Sequence, residues 1–135
     1  MTEGAALSLE ELIAALEPID MSELASDIRP NVRVELKRMK RNISAVLRYI
    51  AYAAAHPAPE NRELHETILE VRRECLRING TISKVLLLQA LWPHPEKWTA
   101  YTERAGAQYA EMAQAMQRIC LVAAPLQTQA LANAL

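Results

Sequence analysis

Val32-Arg33-Val34-Glu35-Leu36-Lys37-Arg38-Met39-Lys40-Arg41-Asn42-Ile43-Ser44-Ala45-Val46-Leu47-Arg48-Tyr49-Ile50 is the stretch on which the fold turns. Val32, Leu36, Met39, Ile43, Val46, Ile50 and, further on, Ala53 recur at alternating spacings of four and three. That repeat places them on one stripe of an α-helix, as a heptad seam does. Pro30 suits the first turn of such a helix, because the ring fixes φ and an N–H is not needed there. The helix is predicted from about Pro30 to His56.

The same rhythm returns twice. Between Pro59 and Trp92 it runs Leu64, Ile68, Val71, Cys75, Ile78, Ile82, Val85. Asn79-Gly80 interrupts helix propensity there but not the pattern, so the segment reads as one helix. Between Pro95 and about Ala123 it runs Trp98, Thr102, Ala105, Tyr109, Met112, Met116, Ile119. The seven prolines fall between these segments, and the short connections make successive helices antiparallel. The expected fold class is all-α: an antiparallel bundle of three long helices with a short amphipathic N-terminal helix packed at one end. Residues 1–28 form an acidic N-terminal arm, 29–124 the three-helix bundle, and 125–135 an Ala- and Leu-rich C-terminal tail.

The arm carries its own start signal. Ser8 and Glu11 make a capping box, with Leu7 and Leu12 as a hydrophobic staple. Leu9, Leu12, Ile13 and Leu16 then share a face up to Pro18. A second short helix is predicted near Met21 to Asp27, capped by Asp20 and Glu23.

The 135 residues are one domain's worth, and 51% hydrophobic residues are enough for a core. The formal net charge of -1 hides an asymmetry. Residues 1–27 hold seven acidic side chains and no Lys or Arg; residues 28–56 hold seven basic ones against Glu35 alone. The arm is therefore expected to dock by its charge and apolar face near the start of the first long helix. There the second long helix is apolar nearly all round (Ile82, Val85, Leu86, Leu87, Leu88, Ala90, Leu91, Trp92) and needs a cover beyond its bundle neighbours. The arm is the first candidate for that cover; a second copy of the chain or a partner is the other. Exposed ion pairs hold weakly, so an arm tethered by charge would be displaceable.

No apolar run approaches the roughly 20 residues that span a bilayer, and the N-terminus lacks a basic leader region. A cytoplasmic protein without membrane contact is expected. Cys75 and Cys120 read as core residues. The bundle geometry separates them by about 12 Å along the axis, beyond disulfide reach.

The chemistry-bearing residues do not converge. His56 and His65 flank one turn while His94 lies at the other end, so no three-ligand zinc site forms. No Glu-x-x-His pair of a di-iron bundle is present. Helical ribonucleases with a compact Arg–His motif use a tighter spacing than the seven residues between Arg48 and His56. No catalytic residue, metal site or cofactor is assigned.

The candidate partner-binding residues fall in two groups. Arg33, Lys37, Lys40, Arg41 and Arg48 form a basic stripe on the first long helix. Leu87, Leu88, Leu91, Trp92 and Trp98 form an apolar corner. The segment Arg77-Ile78-Asn79-Gly80-Thr81-Ile82, followed by Tyr101 and Gly106, faintly resembles the C-terminal part of flagellar export chaperones, which are small helical cytoplasmic proteins. No function is carried over from it, because bundles host many unrelated functions. The expected function is a non-enzymatic protein-interaction module (adaptor, chaperone or inhibitor) presenting a bundle face to a protein, a second copy included. A nucleic-acid-associated regulator using the basic stripe is the alternative. Five phosphate contacts from that stripe on duplex DNA correspond to a slope of about -4.5 in log affinity against log salt.

Overall fold

A computed structural model describes residues 6–26, 28–55, 62–92, 94–123 and 125–135. All regular structure among them is helical: α1 (Leu9–Ala15), α2 (Met21–Leu24), α3 (Arg29–Ala55), α4 (Arg62–Leu91), α5 (Thr99–Ala123) and α6 (Thr128–Ala134). Single 3₁₀ turns, Pro95–Lys97 and Pro125–Gln127, lead into α5 and α6.

The seam residues do what their spacing demands. Val32, Leu36, Met39, Ile43, Val46 and Ile50 of α3 are buried, as are Ile68, Val71, Cys75, Ile78, Ile82 and Val85 of α4. Trp98 and the α5 residues Thr102, Ala105, Tyr109, Met112, Met116 and Ile119 are buried as well. Ala53 and Leu64, nearest the 56–61 segment, are half-buried. His56 and the turn prolines Pro57 and Pro59 lie outside the described residues, as does Asp27. α4 is one helix through Asn79-Gly80.

α4 is the hub, packing on both α3 and α5. Cross-links fix the directions. Glu70 meets Arg118 and Thr81 meets Gln108, so α4 and α5 run antiparallel. Arg29 donates to the Gln89 carbonyl at 3.2 Å, which sets the start of α3 against the end of α4. That guanidinium also supplies a donor to one of the last carbonyls of α4, which lack helical partners.

The arm does not cover the apolar end of α4. It folds back along α3 instead. Ile28 leads into α3, Asp20 sits beside Glu35, Glu17 beside Asn42, and the Leu7 N–H reaches the Arg48 carbonyl. α1 therefore packs on the far half of α3 and on α6, while α2 packs on α3 and α5. The physical reason is a second buried line on α3. Glu35, Asn42, Ala45 and Tyr49 flank the first seam and are all buried, because Leu7, Leu12, Leu16 and Leu24 of the arm lie over that side. From α6, Leu131 joins the same core.

Backbone accounting explains why the arm follows this path. Between α1 and α2 the chain is not helical, so its polar groups need partners from elsewhere. Asn42 supplies two. Its Oδ1 accepts from the Glu17 N–H at 2.9 Å and its Nδ2 donates to the Glu17 carbonyl at 2.7 Å. The same Nδ2 donates to the Tyr109 hydroxyl at 2.8 Å, tying the arm, α3 and α5 together. One heptad earlier, Glu35 accepts from the Asp20 N–H at 3.1 Å while Arg38 holds its carboxylate at 2.8 and 2.9 Å. The Glu17 carboxylate, by contrast, meets Arg41 at 3.0 Å and Arg38 at 3.7 Å in the open. The N-terminal capping box of Ser8 and Glu11 forms as expected.

Removing Asn42 leaves the buried Tyr109 hydroxyl and two partly buried backbone groups of Glu17 short of partners, whereas removing the Glu17 carboxylate loses only solvent-screened pairs. Asn42→Ala should cost about 3 kcal/mol in urea denaturation, and Glu17→Ala less than about 1 kcal/mol. Equal costs for the two would show that the arm is held by charge, not by the buried amide.

Candidate functional site

The five cations of α3 occupy different surroundings. Arg33, Lys37, Lys40 and Arg41 are exposed, and Arg48 is half-buried beside the arm. Arg41 is engaged by Glu17. Arg48 receives the Leu7 N–H through its carbonyl and faces Glu11, whose carboxyl its charge helps to lower. The larger causes of that lowering are the Ser8 hydrogen bonds of the capping box. The arm thus lies along one end of the stripe, while Arg33, Lys37 and Lys40 stay open to solvent. A shallow hollow of about 460 Å³, lined by Lys40, Ser44, Leu47, Arg48, Ala51 and Asn79, borders it.

The apolar corner divides. Leu87, Leu91 and Trp92 are exposed at 59%, 58% and 45%, and Leu88 is half-buried. Trp98 is fully buried, which corrects its place among surface partner contacts. The cause is in its heptad position. It begins the α5 seam, so the core takes it before any surface can.

Trp98 does line a cleft. A mainly apolar space of about 280 Å³ opens between α2 and α5, with Met21, Leu24, Gly106 and Ala110 among its walls. Gly106 is small for a reason: a Cβ there would stand 3.3 Å from Leu24 Cδ2 and 3.5 Å from Met21 Cε. α2 can therefore sit close on α5.

The bundle end holds two polar groups without partners among the described residues. The Trp98 Nε1 is buried and unpaired, and so are both amide atoms of Gln89. Each such group costs about 1–3 kcal/mol. Gln89 sits where the α4 heptad would place an apolar residue.

What the reading of the sequence missed is a second stripe on α4. Leu69 and Leu76 are exposed at 45% and 57%, in line with Leu87 and Leu91. At 3.6 residues per turn, Leu69, Leu76, Gly80, Leu87 and Leu91 fall within about 60° of one another, opposite the buried seam. The signal was present in the spacings of seven, eleven and four, but polar residues between Leu76 and Leu87 hide it from a search for a continuous run. A row of exposed apolar residues along one helix face is a candidate interaction surface.

No metal-holding group of three or more His, Cys, Asp or Glu occurs among the described residues. Cys75 and Cys120 are buried and not joined by a disulfide. Burial, with a smaller push from Glu74, drives the Cys75 thiol up to about 12. A thiol held protonated is a poor nucleophile. No helix among the described residues is long and apolar enough to cross a membrane. The chain matches no family model, and no curated protein or solved structure matches it.

Burial also drives the Tyr109 phenol up to about 12, against a lowering by Asn42, and pushes Tyr49 in the same direction. A folded pKa above the unfolded one means the fold favours the protonated group. Stability from Cys75 and Tyr109 is then complete below their ordinary values of 9.0 and 10.0 and is lost as pH rises toward 12. Melting temperature should fall steadily above about pH 9, and Cys75→Val should move the onset toward pH 10; a flat profile to pH 11 would contradict the burial of these groups. Separately, Gln89→Leu should raise stability by about 1 kcal/mol in urea denaturation, since it removes unpaired amide atoms from the core.

Proposed function

We propose that the chain is a non-enzymatic protein-interaction module: an antiparallel body of three long helices that presents the outer face of α4 to a protein partner. The observation that carries this reading is the line of exposed leucines on α4, Leu69, Leu76, Leu87 and Leu91. A bundle helix needs one apolar stripe for its core. α4 has that stripe, buried from Ile68 to Val85, and a second one that its own fold leaves uncovered. Adaptor, chaperone and inhibitor are the activities this surface would serve, and a cytoplasmic location accords with two buried cysteines not joined by a disulfide.

The alternative is a nucleic-acid-associated regulator, favoured by the open line Arg33, Lys37 and Lys40 on α3. No aromatic residue on that line offers a stacking surface, so the contacts would be to phosphate alone. Such binding is steeply salt-dependent.

The double variant Leu76→Glu/Leu87→Glu discriminates. Both sites are exposed, so its urea midpoint should stay within about 0.5 kcal/mol of the parent. In capture from native lysate followed by mass determination of the complex, it should lose a stoichiometric species that the parent retains. Unchanged capture, together with steeply salt-dependent DNA or RNA binding that Lys37→Glu/Lys40→Glu/Arg41→Glu abolishes, would transfer the function to the basic stripe.

A further inference from the structure

We infer that the occupant of the α4 face is an acidic amphipathic helix, one with apolar knobs on a heptad and carboxylates flanking them. This rests on the interaction reading of the same face and adds the chemistry of the partner.

The shape comes first. Leu69 to Leu91 spans about 33 Å of helix. Gly80 stands midway, and a side chain built on it would meet nothing within 4 Å, so the stripe has a notch at its centre. In helix-on-helix packing a knob inserts among residues i, i+3, i+4 and i+7. Two such holes share Gly80. One is Arg73, Leu76, Arg77, Gly80; the next is Gly80, Ser83, Lys84, Leu87. All seven of these residues are exposed. A helix laid along α4 therefore finds consecutive sockets with a leucine in each wall, which is how an amphipathic helix is recognised.

The charge comes second. Both holes carry cations on their rims: Arg73 and Arg77 around the first and, at the second, Lys84, whose Nζ lies 4.3 Å from the centroid of the Tyr101 ring, with Arg72 on the opposite edge. Of the acidic side chains between Leu69 and Leu91, Glu70 is drawn toward α5 by Arg118 at 3.4 Å. The other, Glu74, is half-buried and bound to Arg77 at 3.2 Å. The rim that a docking helix meets is basic. Arg72 and Arg73 make no ion pair with any described residue.

These two facts select among occupants. The chain's own acidic arm has the right charge, but Asn42 and Glu35 hold its backbone on α3 and its leucines are in the core. A second copy docked about a twofold axis would present the same patch to itself. It would then bring two sets of Arg72, Arg73 and Lys84 together around an apolar seam, and like charges across an interface select against that pairing. A helix with leucines in the holes and Glu or Asp beside them satisfies both the shape and the rim.

The test uses the full chain and two synthetic helical peptides of about 21 residues. They share leucines on one heptad seam and differ only in flanking residues, Glu in one and Lys in the other. Fluorescence anisotropy should show the Glu-flanked peptide binding at least about tenfold more tightly than the Lys-flanked one. Leu87→Glu should abolish that binding, and Arg73→Glu/Lys84→Glu should reverse the preference, with circular dichroism melts unchanged in both variants. Equal binding of the two peptides, or preference for Lys, overturns the acidic partner while leaving the face an interaction surface. Binding of neither peptide overturns helix docking itself. A dimer in sedimentation equilibrium that Leu87→Glu dissociates overturns the inference in favour of a second copy. If Leu87→Glu leaves both peptide binding and capture unchanged, the interaction reading of this face fails with it.

Discussion

The amide of Asn42 organises the molecule. It is fully buried in the middle of α3, and it reads the backbone of Glu17 as a neighbouring strand would, accepting from the N–H and donating to the carbonyl. Its third bond, to the Tyr109 hydroxyl, reaches α5. A non-helical segment inside a helical protein must find partners for its peptide groups or stay in water. Asn42, with Glu35 one heptad before it, supplies those partners and so allows the arm to leave solvent. Once the arm is down, Leu12, Leu16 and Leu24 fill the side of α3 that α4 does not cover. The arm is thus a structural layer whose polar groups dictate its path and whose leucines supply the burial.

The long helices were legible in the sequence because heptad spacing is a local property. Every seam position from Val32 to Ile50, from Ile68 to Val85 and from Trp98 to Ile119 is in the core. The arm's destination was not legible, and the reason is physical. Its leucines and acidic residues fit the apolar end of α4 as well as they fit α3, since hydrophobic burial is non-directional and surface charge pairs discriminate weakly. The deciding groups were Glu35 and Asn42. In sequence they look like two polar residues on a helix flank, and their register with the peptide groups of residues 20 and 17 exists only once the chain has turned back. Trp98 follows the same logic. Proximity to Trp92 suggested a shared surface corner, but its place at the head of the α5 seam put it inside.

The α4 helix carries two apolar stripes with opposite fates. One binds α3 and α5 into a core. The other, Leu69 to Leu91, remains outside although the chain has two further amphipathic segments, α1 and α6, that could have covered it. Both are committed elsewhere: α1 to α3, and α6 to α5 and α1. A fold that had only to be stable would have little use for four half-exposed leucines on its hub, because exposed apolar surface favours association. Their persistence beside a basic rim fits a surface kept for a partner.

In the proposed complex, charge and shape on that surface would act at different stages of binding. Leucine sockets would contribute most of the affinity once water has been excluded, yet they would take any helix with apolar knobs. The arginines and Lys84 around them would act earlier and more selectively, drawing in a partner of opposite sign and raising the cost of a like-charged one. The chain has nearly equal numbers of acidic and basic residues overall, 16 against 15, so net charge alone gives no such selectivity. Selectivity requires separation. The described part of the arm holds five acidic residues, Glu10, Glu11, Glu17, Asp20 and Glu23, on elements packed against α3, and Glu70 and Glu74 are tied back by Arg118 and Arg77. What α4 shows to solvent between its leucines is left basic, and a nearly neutral protein acquires a directional field where its apolar stripe is bare.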